Sequence, residues 1–200
     1  MSAYRGRTDV VVLGLARGGV PVGWEVAAGL GAPLDVFLVR KLGVPQWPEL
    51  AMGAIASGGA VVINESVVQS LHISESQLQE VMQRETAELQ RREVAYRSGR
   101  DAVNLRGKVV IVVDDGIATG ASMRCALQAV RGSAPSEVVV AVPVGPRSEC
   151  QRLRGDADDV VCAISPARFE AVGQVFGDFH QVSDEEVRAL LQTPTTVSSP

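Results

Sequence analysis

Histidine occurs only twice in this 200-residue chain, at His72 and His180, and no G-x-S-x-G elbow accompanies either. A Ser-His-Asp hydrolase therefore has no support. Cysteine is almost as scarce: Cys125, Cys150 and Cys162 are odd in number and lack metal-type spacing. That pattern fits reduced thiols in a cytoplasm rather than a disulfide framework. There is no basic run, and Lys plus Arg (19) fall short of Asp plus Glu (23), leaving a net charge of −4. A nucleic-acid partner is not expected on such a surface. No apolar segment reaches membrane-spanning length, and the few basic residues near the N-terminus do not lead into an apolar run with a cleavage site. The expectation is a soluble cytoplasmic protein. Aromatic residues make up 4%, and three of the four phenylalanines, Phe169, Phe176 and Phe179, crowd into one stretch near the C-terminus.

What is present is patterned apolar sequence. Asp9 to Leu15 reads as a buried strand and Val20 to Leu30 as a helix ending near Gly29 and Gly31. Leu34 to Val39 reads as a second strand closing in Arg40-Lys41. Met52 to Ser57 and Ala60 to Asn64 flank Gly58-Gly59 as a hairpin. Ser74 opens a long helix to about Arg97, with Gln77 completing a capping box. It is polar on most faces, Leu78, Val81, Met82, Glu85 and Leu89 mixing apolar and charged positions, with one narrow apolar stripe expected to lie over the sheet. Val109 to Val113 is a strand, followed by a helix to about Val130. Val138 to Val142, Ser148 to Arg154 and Asp159 to Ala163 repeat the strand–helix–strand pattern, and Ser183 caps a last helix, Asp184 to Leu191. Alternation of this kind predicts an α/β fold with a central, mostly parallel sheet flanked by helices. Residues 1–192 form one domain, long enough to bury roughly 70% of the unfolded surface. Residues 193–200, all Pro, Thr and Ser but for Val197, read as a linker-like or disordered tail. A further domain attached through that tail is expected.

The most informative stretch is Val109-Val110-Ile111-Val112-Val113-Asp114-Asp115-Gly116-Ile117-Ala118-Thr119-Gly120-Ala121-Ser122. A buried strand ends in two carboxylates, and a small-residue loop leads straight into a helix. Backbone N–H groups converging at a helix N-terminus suit a phosphate. Two adjacent acids would repel that anion but suit a neighbouring group rich in hydroxyls, such as a ribose. Phosphate on one side and sugar hydroxyls on the other describe a ribose 5-phosphate.

The pattern resembles the phosphoribosyl-diphosphate (PRPP) motif of the type I phosphoribosyltransferases. The resemblance implies that Asp114 and Asp115 hold the ribose hydroxyls. It also implies that Gly116, Ile117, Ala118, Thr119, Gly120, Ala121 and Ser122 line the 5′-phosphate. The loop Ala16-Arg17-Gly18-Gly19 after the first strand is similar to the family's pyrophosphate loop. Arg17, Arg40 and Lys41 are then the expected catalytic cations, stabilising the leaving group, because ligands gather where parallel strands end. Residues 165–183 are similar in position to the family's hood over the acceptor, with Phe169, Phe176 and Phe179 as stacking candidates. Residues 43–51, or the hairpin after them, are either a closing lid or a connecting loop.

The implied reaction is transfer of ribose 5-phosphate from PRPP to a nitrogen nucleophile with loss of pyrophosphate. Mg²⁺ arrives bound to PRPP, so no protein metal cage is expected. The partners are small molecules, with a homodimer the usual association in the family. One departure matters: purine-salvage members carry a carboxylate at the loop position held here by Ala118. A base must then come from elsewhere, with Glu49, Asp178 and His180 as candidates. The alternative is a PRPP-binding regulator that has lost acceptor chemistry. A PRPP synthetase, needing an ATP site and usually two tandem domains, does not fit in this length.

Overall fold

The computed structural model describes residues 1–195. Five parallel strands form the central sheet in the order β2 (Leu34–Phe37), β1 (Val10–Leu15), β6 (Val109–Val113), β7 (Glu137–Val144), β8 (Asp159–Ile164). Strands β1 and β6 are buried along their whole length because both faces are covered. Helix α1 (Gly19–Leu30) lies over the face of Val10, Val12, Ile111 and Val113. Helix α4 (Ala121–Gly132) lies over the opposite face, on Val11, Leu13, Val110 and Val112. The chain leaves β1 toward one side of the sheet and β6 toward the other, so the order reverses between them. Parallel sheets open a crevice at such a switch point, and the two loops that carry the motifs flank it.

A second, antiparallel sheet is formed by β3 (Val39–Val44), β4 (Trp47–Ala56) and β5 (Val61–Ile63). It packs between α4 and the long helix α3 (Glu75–Arg97), with Leu42, Val44 and Met52 on the α3 side and Val39, Ala54 and Val62 on the α4 side. Its presence corrects the expected second strand. The parallel strand ends at Phe37, whose carbonyl accepts from Ala16 N, and Leu38 then turns its N–H to Ser57 Oγ at 2.9 Å. From Val39 the chain takes β4 as its partner. Arg40 and Lys41 therefore sit within the antiparallel sheet rather than at the end of a parallel strand. An apolar run across Leu34–Val39, broken only by Asp35, hides this change of partner. Residues 43–51 are likewise mostly strand, the end of β3 and the start of β4. The short helix α2 (Glu65–Ser70), capped by Asn64, was not expected from the sequence.

Helix α3 begins as its capping box predicts. Ser74 Oγ accepts from Gln77 N, and Ser74 N donates to Gln77 Oε1 at 3.0 Å. The same arrangement opens α6 (Asp184–Gln192), with Ser183 N donating to Glu186 Oε2 at 2.7 Å. Helix α5 is Arg147–Leu153. Residues 193–195 do not hang free as a tail. Thr195 Oγ1 donates to Ala32 O at 2.7 Å, and Trp24 Nε1 donates to Thr193 O at 3.4 Å. The rest of the expected tail, 196–200, lies outside the described residues. Among the described residues no helix is long and apolar enough to cross a membrane.

Asp35 is a buried charged residue on β2. Its Oδ1 accepts from Val36 N and from Arg97 Nε at 3.2 Å, and its Oδ2 accepts from Val103 N at 3.0 Å. One carboxylate thus ties the end of α3 and the approach to β6 onto the sheet. Asp35→Ala leaves two amides without their acceptor, while the Arg97 guanidinium keeps Glu93 Oε1 at 3.4 Å and Val36 O at 3.1 Å. Each buried donor left unsatisfied is expected to cost about 1–3 kcal/mol. Urea unfolding checks this, and a loss near that of a surface substitution would show the pair to be dispensable.

Candidate functional site

The site begins where β6 ends. Asp115 N donates to Asp114 Oδ1 at 2.9 Å, which turns the chain sharply after Val113. Ile117, fully buried, donates its N–H to Val144 O at 2.9 Å and fixes the loop to β7. Ala118, Thr119, Ala121 and Ser122 remain exposed around the start of α4, where the first-turn N–H groups have no intrahelical acceptor. Arg124 reaches back to donate Nη2 to Thr119 O at 2.7 Å and holds the loop from behind. Residues Asp114 to Met123, with Val172, enclose a cavity of about 240 Å³.

The loop after β1 lies directly against this motif. A Cβ on Gly18 would stand 2.1 Å from Asp115 Oδ2, and one on Gly19 would stand 2.5 Å from Val113 O and 2.8 Å from Asp114 Cα. Only glycine permits that approach, so Gly18-Gly19 brings the two loops together across the switch point. Arg17 stands at the rim of a second cavity, of about 440 Å³, which it shares with Gly18, Asp115, Phe179, His180, Gln181 and Val182. The Ala16–Arg17 peptide bond is cis.

The sequence matches the family model for the phosphoribosyl transferase domain over residues 2–177. The chain belongs to the phosphoribosyl transferase domain family. Two Mycobacterium tuberculosis proteins, from strains CDC 1551 / Oshkosh and H37Rv, each named "Putative phosphoribosyl transferase", are 52% identical to it over 182 residues. The match covers 91% of this chain but 41% of each relative, so the chain spans about two fifths of their length. The crystal structure of TT1426 from Thermus thermophilus superposes with a TM-score of 0.79 at 44% identity. That match covers 93% of this chain and 88% of the Thermus protein.

Within this phosphoribosyl transferase domain, the paired carboxylates are held in an unusual state. Burial and the neighbouring charge of Asp115 push Asp114 up to about 8, against a partial offset from the Asp115 amide. Burial also raises Asp115. A hydroxyl-rich or cationic ligand would relieve the repulsion between them. Among the described residues no group of three or more His, Cys, Asp or Glu side chains is placed to hold a metal ion.

The remaining expected residues divide into two groups. Phe179 is half exposed at the Arg17 cavity, and Phe176 packs against it with ring centroids 5.2 Å apart. Phe169 is half-buried and lines neither cavity. The segment after β8 does pass over the motif loop, because a Cβ on Gly116 would stand 2.6 Å from Val172 Cγ1. Arg40 and Lys41 form the other group. Arg40 Nε donates to Glu85 Oε2 at 2.7 Å, and Lys41 Nζ meets Glu49 Oε2 at 3.2 Å. They line a separate cavity of about 740 Å³ with Val81 and Arg84. Of the candidate bases, Glu49 is fully exposed beside Lys41, at the separate antiparallel-sheet cavity and away from the motif loops. His180 is clasped by Asp178 at 3.2 Å and Glu186 at 2.9 Å, which raises its pKa.

Sequence reasoning missed two groups. Arg17 Nη1 stands 3.5 Å from Asp184 Oδ1, and Tyr96 OH donates to the same oxygen at 2.7 Å. Asp184 reads in sequence as an ordinary first-turn acid, and Tyr96 as one more position of the long helix.

The Asp114 shift has a consequence for stability. The folded protein keeps a proton that the unfolded chain loses near the ordinary carboxylate value, so the native state binds more protons between about pH 4 and pH 8. Stability then falls as pH rises through that window. Asp114→Asn removes the effect, so its melting temperature should exceed the wild type's by a margin that widens from pH 5 to pH 8. Thermal melts at both values check this, and a constant margin would mean that Asp114 titrates normally.

Proposed function

We propose that this domain binds PRPP and transfers its 5-phosphoribosyl group to a nitrogen nucleophile, with pyrophosphate leaving. The carrying observation is the approach of Gly18 to Asp115, which sets a glycine loop bearing one cation against a carboxylate pair and an anion-receiving helix start. The family match and the 52% identical relatives support the same reading. In it, Gly116 to Ser122 wrap the 5′-phosphate, with Thr119 and Ser122 adding hydroxyl donors. Asp114 and Asp115 accept hydrogen bonds from the ribose hydroxyls and so fix the sugar. Ala16, Arg17, Gly18 and Gly19 take the diphosphate, where negative charge grows as the C1–O bond breaks.

The donor set fits Mg²⁺ brought in by the substrate: hard carboxylate oxygens are at hand, and Mg²⁺ commonly uses one or two carboxylates with substrate oxygens and water. When bound, the metal supplies charge neutralisation to the leaving diphosphate. Asp114 would give up its proton as the ligand arrives. Phe179, beside Phe176, offers a ring face toward the acceptor, in keeping with a hood over residues 165–183. Arg40 and Lys41 lie on the antiparallel sheet, paired with Glu85 of α3 and Glu49 of β4. A role for them in leaving-group stabilisation requires that sheet to bring them to the diphosphate.

Ala118 favours a second reading, a PRPP-binding regulator, because that loop position offers no side chain for proton transfer to the acceptor. Pyrophosphate release from Mg-PRPP across a panel of bases, amines and pyridine carboxylates separates the two. Release with one acceptor supports the transferase, and tight binding without release supports the regulator.

Asp115→Asn is expected to weaken PRPP by roughly ten- to a hundredfold, since a charge-assisted hydrogen bond carries about 1.5–3 kcal/mol. Free pyrophosphate should bind nearly as before. Calorimetry at fixed Mg²⁺ reads both, and unchanged PRPP affinity would remove the ribose role.

A further inference from the structure

We propose that Asp184 and Tyr96 are positioning residues that hold the Arg17 guanidinium at the diphosphate end of the site. The inference rests on the reading of Arg17 as a diphosphate contact. Neither residue belongs to the two motif loops, and Asp184 lies beyond the residues matched to the family.

Arginine is a poor anchor unless something immobilises it, because its long side chain loses much rotamer freedom on ordering. Arg17 sits on a loop and is partly exposed. Asp184 engages its Nη1 from across the site. A guanidinium presents five N–H donors in a fixed fork, so one engaged nitrogen leaves the rest free for a bound anion. Asp184 is itself held. It accepts from Tyr96 OH at 2.7 Å, and Tyr96 is buried to 1% exposure in α3. A buried tyrosine needs a partner for its hydroxyl, and here the acceptor is that carboxylate.

The helix carrying Asp184 is seated independently of the contact. Val187 and Leu191 of α6 are buried in one cluster with Val20 of α1 and with Val81, Leu89 and Tyr96 of α3. Its capping box and the acids of its first turn place Asp184 at the positive end of the helix. The Tyr96 hydrogen bond, then the charges of Arg17 and Arg92, lower the Asp184 pKa and keep it ionised. Helix α6 thus sets where the cation of the glycine loop points.

The test is a calorimetric matrix of Mg-PRPP, Mg-pyrophosphate and ribose 5-phosphate against wild type, Asp184→Asn, Tyr96→Phe, Arg17→Ala and Arg17→Ala/Asp184→Asn. Tyr96→Phe keeps the buried ring and removes only the hydroxyl. Both single changes should weaken PRPP and pyrophosphate by roughly three- to tenfold, about 0.7–1.4 kcal/mol, while leaving ribose 5-phosphate unaltered. In the Arg17→Ala background, Asp184→Asn should have no further effect, because the cation it positions is gone. Equal losses for all three ligands, or an Asp184→Asn effect that persists without Arg17, would make α6 a structural strut and overturn the inference. Wild-type binding that survives unchanged in both single variants would overturn it as well, with the PRPP reading intact. A wild type that binds neither PRPP nor pyrophosphate would sink the reading of the site and this inference together.

Discussion

Everything at the candidate site depends on how closely the chain after β1 approaches the end of β6. Gly18 and Gly19 lie so near Val113, Asp114 and Asp115 that any Cβ would overlap backbone or carboxylate atoms. That contact spans the switch point of the sheet, where the two neighbouring strands send their chains to opposite faces. With a larger residue at Gly19, whose Cβ would meet the backbone of Val113 and Asp114, the loops would have to separate; at Gly18 the Asp115 carboxylate would have to turn away. Burial of β1 and β6 on both faces makes the approach rigid, since neither strand can shift without opening the core.

The same closeness explains the electrostatics. Two adjacent carboxylates are pressed into a mouth walled by backbone, so Asp114 holds its proton near neutrality. This is an unfavourable arrangement in an empty domain and a favourable one when hydroxyls or a cation enter. Stability given up at a binding site in this way is common where function requires a prearranged charge. Arg17 faces the cavity from the other loop, balanced by Asp184 rather than by the aspartate pair. The cation of one loop and the Asp115 carboxylate of the other thus share a cavity without pairing with each other.

Much of this was legible in the chain itself. The capping box at Ser74 appears where its spacing with Gln77 puts it, and Ser183 caps the last helix as read, Glu186 completing a box there as well. The parallel sheet follows from β-branched runs alternating with helical periodicity, a local signal. The strand carrying Asp114 and Asp115 is set by its own unbroken apolar run. Arg40 and Lys41 show where local reading fails. Leu34 to Val39 is uniformly apolar but for Asp35, and nothing in it reveals that Leu38 trades one sheet for another by bonding to Ser57. Residues 193–195 show the converse: a composition without apolar bulk still docks when Ala32 and Trp24 offer hydrogen-bond partners.

By itself the sequence determined the strands of the parallel sheet apart from the end of the second, the starts of the capped helices and the two motif loops, because periodicity, caps and glycine positions act over a few residues. Tertiary structure alone decided which of those pieces share a cavity. It brought Gly18 against Asp115, gave Glu85 and Glu49 to Arg40 and Lys41, and carried Asp184 to Arg17 with Tyr96 beneath it. All these pairings but Lys41–Glu49, which face each other across the β3–β4 hairpin, join residues far apart in the chain. The Glu85 and Asp184 contacts are set by how helices α3 and α6 pack, which local sequence does not encode.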